Sequence, residues 1–250
     1  MPDSLFDPVI LLICVIVFLV SGTIKGVLGI GLPTTAMALL TLFMEPTKAI
    51  AVVSLPIIGT NIQQFFSMPN RLRTARRYAP MGAALVATIF LTSLSITRFP
   101  ESFLVTAIGI VMCIFSLHVL SGFRLPTGSG PIWQTGVGAL AGICGGLSAI
   151  WSPPIAMYLL SRDVTKNEFV GACGFLFMVG SLPLAAGLIV SGVLNERNFL
   201  LSLASLAAAG IAFRFGAAFR RRLRNDTFRR IVLAAFLLMV ARLILTGLGD

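Results

Sequence analysis

Apolar segments, most of them long enough to cross a lipid bilayer, follow one another along almost the whole chain. A helix needs about 20 apolar residues to cross the hydrocarbon core. Two segments are shorter, and each of them follows a glycine-rich stretch. The predicted segments are Pro8–Leu28, Leu32–Met44, Ala49–Met68, Tyr78–Thr97, Ser102–Ser121, Ile132–Leu147, Ile150–Leu160, Asn167–Gly192, Phe199–Phe215 and Ile231–Leu248. The pattern predicts an all-α integral membrane protein, a polytopic bundle of about eight to ten helical segments.

Charged residues are too few to cover a water-facing surface. They make up 11% of the 250 residues, whereas a typical soluble domain has about 25%. The net charge of +10 would by itself suit nucleic-acid binding. However, the arginines are concentrated in two short loops between apolar segments, at residues 71–77 and 220–230. This is the positive-inside pattern of a multi-pass membrane protein, and it argues against nucleic acid as a partner.

The arginine-rich loops also predict the orientation of the segments. Both loops should face the cytoplasm, and counting the crossings from them places both termini outside. The two short segments then belong to hairpins that begin at opposite faces of the membrane. Two similar sequences in opposite orientation form an inverted repeat, the usual plan of secondary transporters. The predicted repeats are residues 1–125 and 126–250 of one membrane domain.

Two glycine-rich stretches, Ser21–Pro33 and Gly138–Pro154, interrupt the apolar pattern. Their glycines share one spacing, at a constant offset of 116 residues: Gly22, Gly26 and Gly29 match Gly138, Gly142 and Gly145. Irregular backbone is tolerated inside a membrane only where protein or a polar cavity covers it. Each stretch therefore predicts a broken helix or hairpin. The same GxxxG spacing also allows close helix packing without any ligand, and both interpretations stay open.

The first stretch carries Lys25 inside an apolar segment. Such an intramembrane charge is a functional candidate, although the side chain could instead extend to the cytoplasmic headgroups. After each stretch a half-helix begins, and its free N–H groups and positive dipole end attract anions. Pro33 and Thr34 open the first half-helix, and Ser152 and Pro153 open the second. One ammonium and two positive helix ends together predict an anion site.

Two further residues complete the predicted site. Asn61 shares a polar stripe with Gln64 and Ser54, which either lines a pathway or joins helices. Trp151 either stacks on the substrate or lies in the aromatic belt at the membrane surface. The predicted substrate-binding residues are Lys25, Gly26, Gly29, Gly31, Pro33, Thr34, Asn61, Gly142, Gly145, Gly146, Trp151, Ser152 and Pro153.

No catalytic or metal-binding motif is visible in the sequence. The one histidine, His118, stands apart from any HExxH or Ser/His/Asp pattern, and the four cysteines form no CxxC pair. The sequence therefore predicts neither an enzyme nor a cofactor or metal site. The expected partners are a small anionic substrate and the lipid bilayer, and a homodimer is left open.

At these motifs the chain resembles the sulfite exporter TauE/SafE family. The resemblance rests on Ser21-Gly22 and Gly26–Pro33 in the first half, and on Gly142–Leu147 with Thr165-Lys166 in the second. It implies a permease of the inner or plasma membrane that exports sulfite, sulfonates or related small sulfur-containing anions.

Lys25 and the run Trp151–Pro154 look like features of this chain rather than of the family pattern, which leaves the transported anion open. The function that we predict is a membrane permease for a small, sulfite- or sulfonate-like anion, working by alternating access. A non-transporting scaffold that uses GxxxG contacts to join other membrane helices is the alternative.

Overall fold

A computed structural model describes residues 8–93, 128, 130–148, 151–190, 196–228, 230–232 and 234. All regular structure in these ranges is helical, which confirms the all-α prediction. The helices are α1 (Pro8–Leu28), α2 (Leu32–Leu40), α3 (Pro46–Phe66), α4 (Arg71–Arg77), α5 (Ala79–Ser93), α6 (Pro131–Ser148), α7 (Ser152–Ser161), α8 (Lys166–Val190) and α9 (Glu196–Arg222). The predicted segment Ser102–Ser121, with His118, lies outside the described residues, as does most of Ile231–Leu248.

The structure corrects the predicted segments in three places, besides shifts of up to three residues at other described ends. The segment predicted to reach Met44 ends as α2 at Leu40, because a turn precedes Glu45, whose extended backbone (ψ 143°) is the conformation expected before a proline. The arginine-rich loop after α3 contains the short helix α4. Finally, α9 continues past Phe215 to Arg222, since the alanine and arginine residues there favour helix.

The chain divides into two compact units that are each discontinuous in sequence. The first comprises Met1–Ala75 and Val170–Arg222, and the second comprises Arg76–Phe169 and Leu223–Asp250. Each unit therefore contains residues of both predicted repeats. The repeat boundaries themselves stay a prediction.

In the first unit, α9 packs against both α1 and α3. Ser202 on α9 donates a hydrogen bond to the Val52 carbonyl (2.8 Å), and Gln63, farther along α3, donates to the Gly210 carbonyl (3.4 Å). The contacts advance together along both helices, so α3 and α9 run in the same direction. The core beside them is formed by Cys14, Val17, Phe18, Leu32, Ala36, Leu40, Val52, Val53, Ile57 and Ala209.

Small residues set the distance between α1 and α9. A Cβ atom at Gly22 would lie 2.6 Å from the Ala209 carbonyl oxygen, and one at Gly26 would lie 2.8 Å from the Gly216 Cα. Such atoms would overlap, so only glycine permits this approach. The two contacts again advance together, and α1 is therefore parallel to α9.

The outward face of α1 is apolar, and that of α9 is mostly so, with Arg214 as an exposed cation. On α1, Val9, Leu12 and Ile16 are 60, 59 and 52% exposed, and on α9 Phe215 is 70% exposed. A continuous apolar surface of this kind is unfavourable in water. By length and composition, Pro8–Leu28 and Phe199–Arg222 could each cross a membrane. Both observations fit helices that face lipid.

In the second unit, α5 packs along α6 in the same direction. A Cβ atom at Gly138 would overlap the Met81 carbonyl, and one at Gly142 would lie 2.8 Å from the Leu85 carbonyl oxygen. Glu168 accepts hydrogen bonds from Arg77 (2.7 Å) and Tyr78 (2.8 Å) in the same unit. Each GxxxG pair of the sequence is thus a helix-packing surface within its own unit.

Candidate functional site

The first glycine-rich stretch breaks the helix where the sequence predicts it. Helix α1 ends at Leu28, and α2 begins at Leu32. Between them, Gly29 and Gly31 have φ angles of 79° and 99°. These left-handed conformations suit glycine because a Cβ atom would clash with the backbone. The two glycines therefore let the chain leave α1 and begin a new helix within three residues.

The start of α2 lacks a side-chain cap. Pro33 occupies the first turn, where its missing N–H removes no helical hydrogen bond. Thr34 is one of the predicted substrate-binding residues, and its hydroxyl donates a hydrogen bond to the Gly31 carbonyl (3.0 Å). The start of α2 can therefore offer an anion its backbone N–H groups and the positive end of its helix dipole.

Lys25 is buried, with 1% of its surface exposed. Its Nζ donates a hydrogen bond to Asn61 Oδ1, and Asn61 Nδ2 donates in turn to the Phe177 carbonyl (3.1 Å). In the described part of the chain, ion pairs join Lys48 to Glu45 and Arg77 to Glu168, and neither involves Lys25. The ammonium is therefore held by a neutral amide and does not extend to the surface of the unit.

Gln64 lies beside this pair and was left out of the predicted site. Its Nε2 donates to the carbonyls of Gly29 (3.0 Å) and Val170 (2.8 Å), and so fastens the glycine break to α3 and α8. Its Oε1 is buried and has no hydrogen-bond partner among the described residues. The sequence signal for Gln64 was its spacing of three residues from Asn61 on one helix face.

Arg220 is the second residue that sequence reasoning missed. It was assigned to a cytoplasmic loop, yet it is 2% exposed and its Nη1 donates to the Gly26 carbonyl (2.6 Å). Its neighbours Arg221 and Arg222 are exposed. The sequence feature that could have identified Arg220 is its position four residues after Gly216, which places it on the face of α9 that packs against α1.

Lys25 and Arg220 both lie at the C-terminal end of α1. The dipole of a helix places about half a negative charge at this end, which balances only part of the positive charge of Lys25. The start of α2 adds a positive end nearby. The glycine break therefore carries an excess of positive charge and offers hydrogen-bond donors, and this combination suits a small anion.

The second glycine-rich stretch lies in the other unit. Gly142, Gly145 and Gly146 are part of α6, and α7 begins at Ser152 with Pro153 in its first turn and no side-chain cap. Trp151 is buried, and a Cβ atom at Gly145 would lie 2.9 Å from its ring. The structure therefore brings together the predicted residues of each stretch. That both sets line one site stays a prediction, and so does the role of Trp151.

Metal ligation has no basis in the described ranges. Within them, no group of three or more His, Cys, Asp or Glu side chains is placed to hold a metal ion. The chemistry of the site is that of hydrogen bonds and charge.

The profile of the sulfite exporter TauE/SafE family matches residues 14–243. The match includes both glycine-rich stretches, Lys25 and Arg220. No curated protein and no solved structure matches the chain. The matched family is one of membrane transporters and not of enzymes. The chain therefore belongs to the sulfite exporter TauE/SafE family and is a membrane transporter of the sulfite exporter type.

Proposed function

We propose that this protein is a multi-pass permease of the cell membrane that moves a small sulfur-containing oxyanion by alternating access and binds it beside Lys25. The observation that carries the proposal is the buried Lys25 ammonium, which is paired with the Asn61 amide. A buried charge is unfavourable unless an opposite charge accompanies it. The amide accepts one hydrogen bond but supplies no negative charge, so a bound anion would complete the site.

The backbone around Lys25 supports the same proposal. Gly29 and Gly31 interrupt the helix after α1, and α2 begins directly after them without a side-chain cap. Helix starts bind anions through free N–H groups. In the second stretch, the start of α7 at Ser152 and Pro153 would bind in the same way, and Gly142, Gly145, Gly146 and Trp151 would complete its part of the site. The family match supports sulfite or a related anion as the substrate class.

The directions of the helices in the first unit support the proposed orientation. Helices α1, α3 and α9 run one way, whereas α8 runs the other way, since Gln64 contacts Val170 and the earlier Asn61 contacts the later Phe177. Helices α3 and α9 end at arginine clusters, and α8 begins at Lys166. All these cationic ends belong on the cytoplasmic side, so α1 begins outside, and the crossing count from the sequence places the C-terminus outside as well.

One contact supports the inverted repeat. Asn61 and Phe177 are 116 residues apart, the offset of the glycines and two residues short of the offset of 118 that relates Thr47-Lys48 to Thr165-Lys166 near the starts of α3 and α8. In a two-fold arrangement, equivalent residues touch each other only near the axis. The contact is therefore what a repeat axis between α3 and α8 would produce.

The scaffold alternative is weaker. It requires the GxxxG faces to be free for helices of other proteins. Gly22 and Gly26 instead pack against α9, and Gly138 and Gly142 pack against α5. These surfaces are already occupied within the chain.

Transport in proteoliposomes tests the proposal. The purified protein should move labelled sulfite, and unlabelled sulfite should compete better than sulfate or carboxylates. Lys25→Ala should reduce sulfite transport about a hundredfold, because a buried charge-assisted contact is lost. Lys48→Ala, at a lysine side chain that is 64% exposed, is the matched control and should transport normally. Equal transport by Lys25→Ala and Lys48→Ala would remove Lys25 from the site.

A further inference from the structure

The acceptor atom of Gln64 is an unexplained feature of the glycine break. The Gln64 Nε2 gives its two hydrogens to the carbonyl oxygens of Gly29 and Val170. This fixes the orientation of the amide, because the opposite orientation would set its oxygen against two carbonyl oxygens. Oε1 is thus a true acceptor, buried and without a donor among the described residues. Native structures seldom leave such an atom unsatisfied.

Gln64 lies one helical turn from the Lys25 ammonium along both helices. Lys25 contacts Asn61, and Gly29 contacts Gln64. Gly29 follows Lys25 by four residues, directly after the end of α1, and Gln64 follows Asn61 by three residues on α3, so each step of one turn keeps to one helix face. The free acceptor and the ammonium therefore belong to the same face of the α1–α3 contact.

The ammonium has donors left to give. An ammonium has three N–H donors, and one of them goes to Asn61. The described residues supply no hydrogen-bond acceptor for the other two. Over the residues that the structure describes, the glycine break thus combines unpaired donors and positive charge with one unsatisfied acceptor, Gln64 Oε1. A ligand that accepts from these donors, balances the positive charge and donates to Gln64 Oε1 must be an anion that also carries an N–H or O–H group.

We propose that Gln64 Oε1 selects a protonated oxyanion, of which hydrogensulfite is the representative, over oxyanions that have only acceptor atoms, such as sulfate. This inference rests on the proposed function, because it concerns the anion bound beside Lys25. A site built to pair with a substrate hydrogen rejects an analogue that lacks the hydrogen, since the acceptor of the protein is then buried without a partner.

Two isosteric anions test the selection without any change of pH. Sulfamate and methanesulfonate are both monoanions of similar shape, but sulfamate carries an amino group where methanesulfonate carries a methyl group. Competition with labelled sulfite in proteoliposomes should show sulfamate binding about tenfold more tightly than methanesulfonate to the wild-type protein. Equal competition by the two anions in the wild-type protein would overturn the inference and leave the proposed function standing.

Variants assign the selection to Gln64. In Gln64→Met the preference for sulfamate should fall to about one, because the acceptor is gone while the side-chain volume is kept. Gln63→Met is the matched control. Gln63 is half-buried and bonds α9 through its Nε2, and the variant should keep the full preference. An unchanged preference in Gln64→Met would refute the role of Gln64.

The preference is a ratio, and it does not depend on how much protein folds. If Gln64→Met does not fold at all, Gln64→Asn keeps the amide but withdraws its oxygen by one methylene, and the preference should fall in the same direction. If neither sulfamate, methanesulfonate nor unlabelled sulfite competes in the wild-type protein, the proposed function fails, and the inference fails with it.

Discussion

Lys25 on α1 and Arg220 on α9 are both buried at the C-terminal end of α1, but they make different hydrogen bonds there. Arg220 donates to a backbone carbonyl, that of Gly26, which is one of the four carbonyls that a helix end leaves without an intrahelical partner. Lys25 instead bonds the side chain of Asn61. Arg220 therefore stabilises the helix end, whereas Lys25 supplies charge to the glycine break.

We expect Arg220→Ala to lower the free energy of unfolding by about 2 kcal/mol, because a buried charge-assisted hydrogen bond is lost. Thermal unfolding in detergent should show a melting temperature lower by about 4–8 °C. Arg222→Ala, at an exposed position two residues later, should melt like the wild-type protein. Similar melting of both variants would contradict a structural role for Arg220.

The sequence predicted part of this site. Lys25 was identified because a charge in an apolar segment is costly, and Asn61 because it interrupts an apolar helix face. Their contact joins residues 36 positions apart, and no local pattern encodes it. Arg220 was missed because a run of arginines at a helix end resembles a solvated loop, so that its one buried member cannot be distinguished by composition.

At the scale of the helices, glycine decides which pairs approach closely. Gly26 faces Phe213 and Gly216 of α9, and a Cβ atom there would overlap the Phe213 carbonyl. At Gly136 on α6, in contrast, a Cβ atom would meet no other atom within 4 Å among the described residues. The two glycines are therefore a matched pair, one in a contact and one open.

Gly26→Ala should destabilise the protein by about 1–3 kcal/mol, because the added methyl group forces α1 away from α9. Gly136→Ala should instead be neutral or stabilise by up to about 1 kcal/mol, since alanine favours helix over glycine. Both values can be read from thermal unfolding in detergent. Equal stability of the two variants would show that the α1–α9 contact tolerates a side chain.

Helix positions were easier to predict than helix partners. The bounds of α1 follow from its apolar length, and the predicted break at Gly29 and Gly31 is present. The end of α2 was misjudged because four further residues before Pro46 are compatible with a helix by composition. That α1 packs on α9 depends on contacts between distant parts of the chain, and the GxxxG spacing predicted such a contact without naming the partner.

At the scale of the whole molecule, cationic residues gather at corresponding helix ends. Within the first unit, α3 and α9 are parallel and both lead into arginines. The crossing count made from the sequence stays a prediction. Membrane localisation is established by the family, whereas sidedness is a property that a labelling experiment can measure.

Single cysteines placed at Glu45 and Arg73, both exposed, should report opposite sides of the membrane. In a background with the four native cysteines replaced, a membrane-impermeant maleimide should label Glu45→Cys in intact cells and Arg73→Cys only in inverted vesicles. The reason is that arginine-rich segments stay in the cytoplasm. Labelling of both positions from one side would contradict the proposed orientation.

The repeat was predictable only as a pattern in the glycines and in the crossing count. Neither pattern indicates that a compact unit would combine Met1–Ala75 with Val170–Arg222. Which segments of the two halves pack into one unit depends on how the surfaces of α3, α8 and α9 fit together. The apolar residues on these surfaces look alike in sequence.

The level of Lys25 within α1 has an electrical consequence. Lys25 lies within one turn of Leu28, and Asn61 lies within two turns of Phe66, at the ends that face the cytoplasm in the proposed orientation. Nearly all of the transmembrane voltage would then fall between the bound ion and the outside. A potential of about 100 mV, negative inside, performs about 2.3 kcal/mol of work on one elementary charge, which corresponds to roughly a fiftyfold concentration ratio. For uniport of a singly charged anion, the voltage favours efflux and opposes uptake wherever the site lies, and the level of Lys25 places most of this electrical work in the step between the site and the outside.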